Sequence, residues 1–224
     1  MDMNKDFDKF RKSLGISGIA LHDYQKLMNI NAGYISPTII EERQLNVASM
    51  DVFSRLMLDK IIFLGTAIDD TVANIVTGQL LYLQSVDPTS DIDLYLNSPG
   101  GSVYSGFSVY DTMNLIKPNV NTVVTGMAAS MAFVLSINGH KRSALKHSRL
   151  MMHQPLGGIS GQASDIEITA KQILMVKKEL NKIISDKTGQ PIERIENDTD
   201  RDYWMTAIES KEYGAIDKII GESD

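Results

Sequence analysis

Residues 92–102, Ile92-Asp93-Leu94-Tyr95-Leu96-Asn97-Ser98-Pro99-Gly100-Gly101-Ser102, carry a short β-type run into a Pro-Gly-Gly turn, and an apolar helical pattern starts near Val103. The same order returns further on, where a run at 120–124 leads through Gly126-Met127-Ala128-Ala129-Ser130 into an apolar helical stretch at 131–137. Outward from these two units, further β-type runs stand at 61–64 and 149–152, again separated by helical patterns. Strands that alternate with helices predict an α/β fold.

Helix signals agree with that reading. Asp69-Asp70 opens a helix in which Val72, Ile75, Val76 and Leu83 keep roughly helical spacing. Ser164 with Glu167 has the form of a capping box at the head of a longer helix, with Ile166, Ala170, Ile173, Leu180 and Ile184 on one face. A second box, Thr206 with Glu209, opens a short helix that stops near Gly214.

The chain of 224 residues is 43% hydrophobic and 22% charged, a globular composition. Its net charge of −6, with no Lys/Arg run, leaves no basic field for a phosphate backbone, so nucleic acid is not an expected partner. The longest apolar stretch, 126–137, is far short of a membrane span, which takes about 20 residues. The first residues alternate acids and bases rather than forming a signal sequence, and there is no Cys, hence no disulfide, thiolate nucleophile or Cys zinc site. A cytoplasmic location is expected. Residues 1–33 read as an N-terminal leader or extension, ahead of a domain at 34–224.

Two turns have the chemistry of a site. The glycines at 100 and 101 expose backbone N–H groups with no Cβ in the way, which suits an anion or a substrate backbone, although Pro-Gly-Gly is also ordinary turn punctuation. Ser130 stands among small residues at a helix start, the placement of a nucleophile and equally of a helix cap. Of the four histidines, His153 alone follows an apolar strand and leads into a Gln-Pro turn. His22 sits in the leader, and His140 and His147 lie in a polar stretch. His153 fits a general base or a hydrogen-bonded structural residue. Among the many acids, spacing chooses none to orient it. The densest cluster, Asn197-Asp198-Thr199-Asp200-Arg201-Asp202, reads equally as a solvated turn.

Taken together and in this order, the segments 97–102, 126–131, 152–158 and 198–202 closely resemble the proteolytic subunits of Clp proteases (ClpP), over about residues 35–221. The resemblance implies a ClpP/crotonase-like α/β fold of repeated ββα-type units with a protruding strand-helix handle. It also implies serine endopeptidase chemistry, with Ser130 as nucleophile, His153 as base and Asp202 as orienting acid. The backbone N–H groups of Gly100 and Met131 would form the oxyanion hole. Residues 157–162 and the long helix after them match the handle by which two heptameric rings stack, and Asp200, Arg201 and Gln162 fall at ring-to-ring contact positions. The expected partners are other copies of the chain, unfolded polypeptide substrates and an AAA+ unfoldase of the ClpX or ClpA/ClpC type. Tyr95 and Tyr82 are candidate docking residues. No cofactor is implied for the chain itself: it lacks the G-x-x-x-x-G-K-[ST] pattern, so ATP would be used by the unfoldase. Cleavage between about residues 31 and 35 would remove the leader and leave 35–46 to line an axial pore.

The chain departs from the family pattern at Ala132, where Gly is usual, and at 139–147, which is two residues short with Lys146-His147 in place of a Pro-led pair. Two other classes compete. A crotonase relative would hold a thioester enolate and need no Ser-His-Asp set, and a non-catalytic ring subunit would be expected to lack one of the three.

Overall fold

The computed structural model describes residues 38–43 and 46–221, and the chain divides between Val52 and Phe53 into two compact units. The described part of the first unit is a hairpin, β1 (Thr38–Arg43) antiparallel to β2 (Asn46–Asp51), with Thr38 opposite Asp51 and Arg43 opposite Asn46. The expected leader at 1–33 lies outside the described residues. The stretch expected to line a pore enters β1 from Thr38 on.

The second unit starts within α1 (Val52–Leu58) and continues through β3 (Ile61–Leu64), α2 (Asp70–Val86), β4 (Ile92–Ser98), α3 (Val103–Leu115), β5 (Val120–Ala129), α4 (Met131–Ile137), β6 (Arg142–Leu145), β7 (Arg149–Met152), α5 (Ala163–Thr188), α6 (Ile192–Asp198), β8 (Tyr203–Thr206), α7 (Ala207–Glu212) and β9 (Lys218–Ile220). This is the expected α/β class. Strands β3-β4-β5-β6-β9 form a parallel sheet in that order. Along β4 the side chains alternate: Ile92, Leu94 and Leu96 are fully buried while Asp93 and Tyr95 are only half-buried. The buried face packs with Val76, Leu80, Phe133 and Leu135 of the helices in one core. Each such side chain contributes about 1.5–3 kcal/mol by leaving water. The other face carries Phe63, Tyr95 and Val123 in register across β3, β4 and β5, continued by the paired Leu145 and Ile220 on β6 and β9.

The strand expected at 120–124 extends to Ala129, and that extension builds the site. Its first part pairs β6 at 122–124, and its last part, 127–129, pairs β7 instead. Between them β5 bulges against β4, because Leu96 faces Val124 whereas Ser98 faces Ala128. Asn97 fills the bulge, accepting the Met127 N–H at 3.1 Å on its Oδ1.

The three cap readings meet different outcomes. Thr206 and Glu209 form the full capping box of α7, and Asp69 caps α2 by accepting from Val72 N–H at 2.8 Å. The Ser164/Glu167 box does not form: α5 starts at Ala163 after Gln162, without a side-chain cap. Glu167 is instead drawn to Lys171 at 2.6 Å, one turn on. No helix of the described residues is long and apolar enough to cross a membrane.

Candidate active site

Ser130 sits between β5 and α4 with φ 54° and ψ −122°, a region that non-glycine residues rarely enter. Its N–H donates to Met151 O on β7 at 2.9 Å and its C=O accepts from Val134 at 3.3 Å, so the surrounding strand and helix hold the strained residue in place. The side chain makes no cap hydrogen bond. The turn aims Oγ at His153 Nε2, 2.8 Å away.

His153 and Asp202 are brought together by strand register. Strands β7 and β8 are antiparallel with Met152 opposite Tyr203, so the next residue off β7 meets the last residue before β8. His153 Nδ1 lies 2.9 Å from Asp202 Oδ1. The two bonds to the imidazole assign its roles: with Nδ1–H donating to the carboxylate, Nε2 is the acceptor left to face the serine hydroxyl. The histidine side chain is 15% exposed and that of Asp202 60%. Water therefore reaches the acid but scarcely the ring.

The Pro-Gly-Gly turn meets the serine from the side. Ile68 anchors it, donating to Gly100 O and accepting from Ser102 N–H, both at 2.8 Å. At Gly100, with φ 90°, a Cβ would stand 2.8 Å from Ser130 Cβ and 2.9 Å from Met131 N. Only glycine leaves that space open. The Gly100 N–H, expected in the oxyanion hole, donates here to the buried Ser98 Oγ at 3.1 Å. The next amide along, that of Gly101, and that of Met131 make no hydrogen bond among the described residues. Met131 is held by α3, where a Cβ on Gly106 would collide with its side chain. Beside Ser130 opens a narrow recess whose apolar lining includes Val103, Phe133, Val134, Met152, Leu180 and Ile184.

The other sequence candidates lie away from this cluster. Asp200 and Arg201 are exposed at the approach to β8, where Arg201 donates to Asp200 O at 2.9 Å and stands 3.6 Å from its carboxylate. Gln162 is exposed before α5, and residues 157–162 pair with no strand among the described residues. Along the first half of α5, Ile166, Ile168, Leu174 and Met175 are exposed, whereas Val176, Leu180 and Ile184 are buried further on. Tyr82 is exposed on α2, and Tyr95 lies on the outer face of β4. His140 and His147 are exposed and take no part in the triad geometry. His22 lies outside the described residues. Sequence reasoning missed Ser98, Asn97 as the bulge filler, and the recess. The last two were out of reach, because both are made by strands and helices distant in sequence.

A family model for Clp protease matches residues 43–223. The ATP-dependent Clp protease proteolytic subunit of Porphyromonas gingivalis is 62% identical over 218 residues, covering 96% of this chain and 97% of the relative. The proteins of the same name from Bacteroides fragilis and Bacteroides thetaiotaomicron are each 58% identical over 218 residues, covering 96% of this chain and 98% of theirs. With a match of this extent laid over a serine, a histidine and an acid already joined in space, the chain belongs to the Clp protease family.

Proposed function

We propose that Ser130, His153 and Asp202 are the nucleophile, general base and orienting acid of this serine peptidase. The observation that carries the reading is the pair of bonds at 2.8 and 2.9 Å that places one imidazole between the other two side chains. Ser130 Oγ attacks the substrate carbonyl carbon while its proton passes to His153 Nε2. Asp202 stabilises the imidazolium, which then protonates the departing amine. Water, deprotonated by His153, attacks the acyl-serine and releases the new carboxylate. The amides of Met131, which follows Ser130, and, in place of Gly100, Gly101, one residue past the glycine packed against Ser130, receive the developing oxyanion, since neither N–H makes a hydrogen bond among the described residues. The chemistry uses side chains, amides and water, and calls for no cofactor.

The recess beside Ser130 suits an apolar side chain next to the scissile bond. The assembly reading is two stacked heptameric rings joined through α5 and the 157–162 segment, with Gln162, Asp200 and Arg201 at the contact. It is supported by the exposed apolar residues on the first half of α5, a surface that a lone protomer would leave in water. The uncovered sheet face with Phe63, Tyr95, Leu145 and Ile220, and Tyr82 on α2, supports docking of an ATP-driven AAA+ unfoldase that supplies unfolded chains. The proposed setting is cytoplasmic.

The test is active-site labelling. A fluorophosphonate probe should modify wild-type protein at Ser130, with labelling absent in Ser130→Ala and strongly slowed in His153→Ala. Modification of a different residue in the wild type would end this reading. The crotonase alternative expects no labelling, and so does an inactive ring subunit. The assembled triad argues against both.

A further inference from the structure

Gln154 lies one residue past His153, outside the bonds of the triad, and makes four contacts that tie three segments together. Its main-chain N–H donates to Thr199 O at 2.6 Å. Its side-chain Nε2 donates to Asp200 O at 2.9 Å and reaches Asp200 Oδ1 at 3.4 Å. Its Oε1 accepts from Lys177 Nζ of α5 at 2.9 Å. One turn further along α5, the Asn181 side-chain amide lies 3.1 Å from Thr199 Oγ1, whose hydroxyl donates to Ile195 O of α6 at 2.7 Å, and both Asn181 and Thr199 are buried. Residues 177 and 181 share one face at helical spacing, so α5 reaches this segment directly through Asn181 at Thr199 and, through Lys177, by way of Gln154 at Asp200.

Two residues beyond that grip stands Asp202. Its carboxylate makes one hydrogen bond among the described residues, the one to His153, and it is largely open to water. Its placement therefore depends on the main chain on either side. The β8 pairing defines one side and the contacts at 199–200 the other. Arg201 also donates to Asp200 O, but its side chain is 86% exposed and competes with water for that bond. Gln154 and Lys177 are half-buried. The amide is suited to this position because it accepts from Lys177 and donates to Asp200 O at once. A carboxylate of the same shape can only accept.

We infer that Gln154, held by Lys177, is a positioning residue that fixes the main chain at Asp200 and through it the carboxylate of Asp202 against His153. This inference rests on the triad reading given above.

The experiment compares full-length wild type with Gln154→Ala, Gln154→Glu, Lys177→Met and Lys177→Arg, each taken as the oligomeric fraction from size exclusion. The readouts are kcat and KM for a short fluorogenic peptide, the rate and site of fluorophosphonate labelling, and thermal melting. Small misplacements of reacting groups cost up to about a hundredfold in rate. Both Gln154 variants should therefore lose about ten- to a hundredfold in kcat with KM little changed, in step with slower labelling of Ser130. Lys177→Met should lose about tenfold, and Lys177→Arg, which restores a donor to Gln154 Oε1, should recover most of it. Gln154→Glu with wild-type kcat would overturn the inference, as would variants that melt earlier at unchanged kcat. Labelling of the wild type at a residue other than Ser130 would overturn the triad and this inference with it. Labelling at Ser130 that is indifferent to Gln154 would remove the inference alone.

Discussion

At the scale of single residues, the backbone sets the chemistry as firmly as the side chains do. Ser130 is held at positive φ, and Gly100 is the neighbour that makes room for it. A methyl group at position 100 would meet Ala129 O at 2.5 Å in a conformation that L-residues avoid. Gly100→Ala should therefore destabilise the fold by about 1–3 kcal/mol, and peptide hydrolysis should fall about a hundredfold or more as Met131 N–H is obstructed. Chemical denaturation and steady-state kinetics measure the two effects. In the triad, Asp202→Asn keeps the shape but permits the wrong histidine tautomer, and kcat should fall about 10⁴-fold. Retention of most activity by Asp202→Asn would mean that another acid orients His153.

At the scale of elements, separate parts are locked by a few polar contacts at strand and helix ends. Arg142, at the start of β6, donates to Lys187 O at the end of α5 and to Gly214 O after α7, both at 2.8 Å, and pairs with Asp217 before β9. Replacing it by Met leaves those carbonyls without a donor and should cost about 2 kcal/mol. The same pair gives a pH dependence. Burial pushes the Asp217 carboxyl up, but hydrogen bonds from the Arg142 side chain and N–H and the charge of Arg142 outweigh it and hold the group below its ordinary value. A carboxylate depressed in the folded state contributes stability above its unfolded value, about pH 4, and loses it as pH falls through the folded value. Urea midpoints measured from pH 7 down to pH 3 should fall more steeply for wild type than for Asp217→Asn. Parallel curves would show that this pair has no part in acid sensitivity.

At the scale of the whole molecule, what a lone protomer leaves uncovered points to its partners. The exposed apolar residues on α5 should drive assembly, and analytical ultracentrifugation at micromolar concentration should show a species far larger than one chain. A monomer would refute the stacked-ring reading. Unfolding a typical domain costs about 5–15 kcal/mol, and a sequence without the G-x-x-x-x-G-K-[ST] pattern does not draw that energy from ATP by that route. The protein alone should cleave short peptides but leave a stably folded, tagged fluorescent substrate intact, and loss of fluorescence should require unfoldase and ATP. Tyr95→Ala should slow that loss while peptide cleavage stays normal. An unchanged rate would remove Tyr95 from the docking surface and leave the stacked-ring reading standing.

The amino-acid sequence by itself determined the α/β alternation, the turn at 98–101, the helix starts at Asp69 and Thr206, and His153 as the candidate base, because these rest on local periodicity, glycine freedom and capping chemistry. It also held Ser130 at a strand-to-helix junction, but left open whether the side chain capped the helix or faced a base. Only the tertiary structure decided that, since the hydroxyl's direction follows from a positive φ enforced by pairing with β7. The partner acid was likewise beyond local reading. Three aspartates, at 198, 200 and 202, stand in one short cluster, and the register of β7 against β8 is what sets Asp202 opposite His153. Which amide of the turn is free has the same origin: the Gly100 N–H is taken by Ser98 Oγ, buried beneath the turn, a consequence of sheet packing that no spacing along the chain encodes.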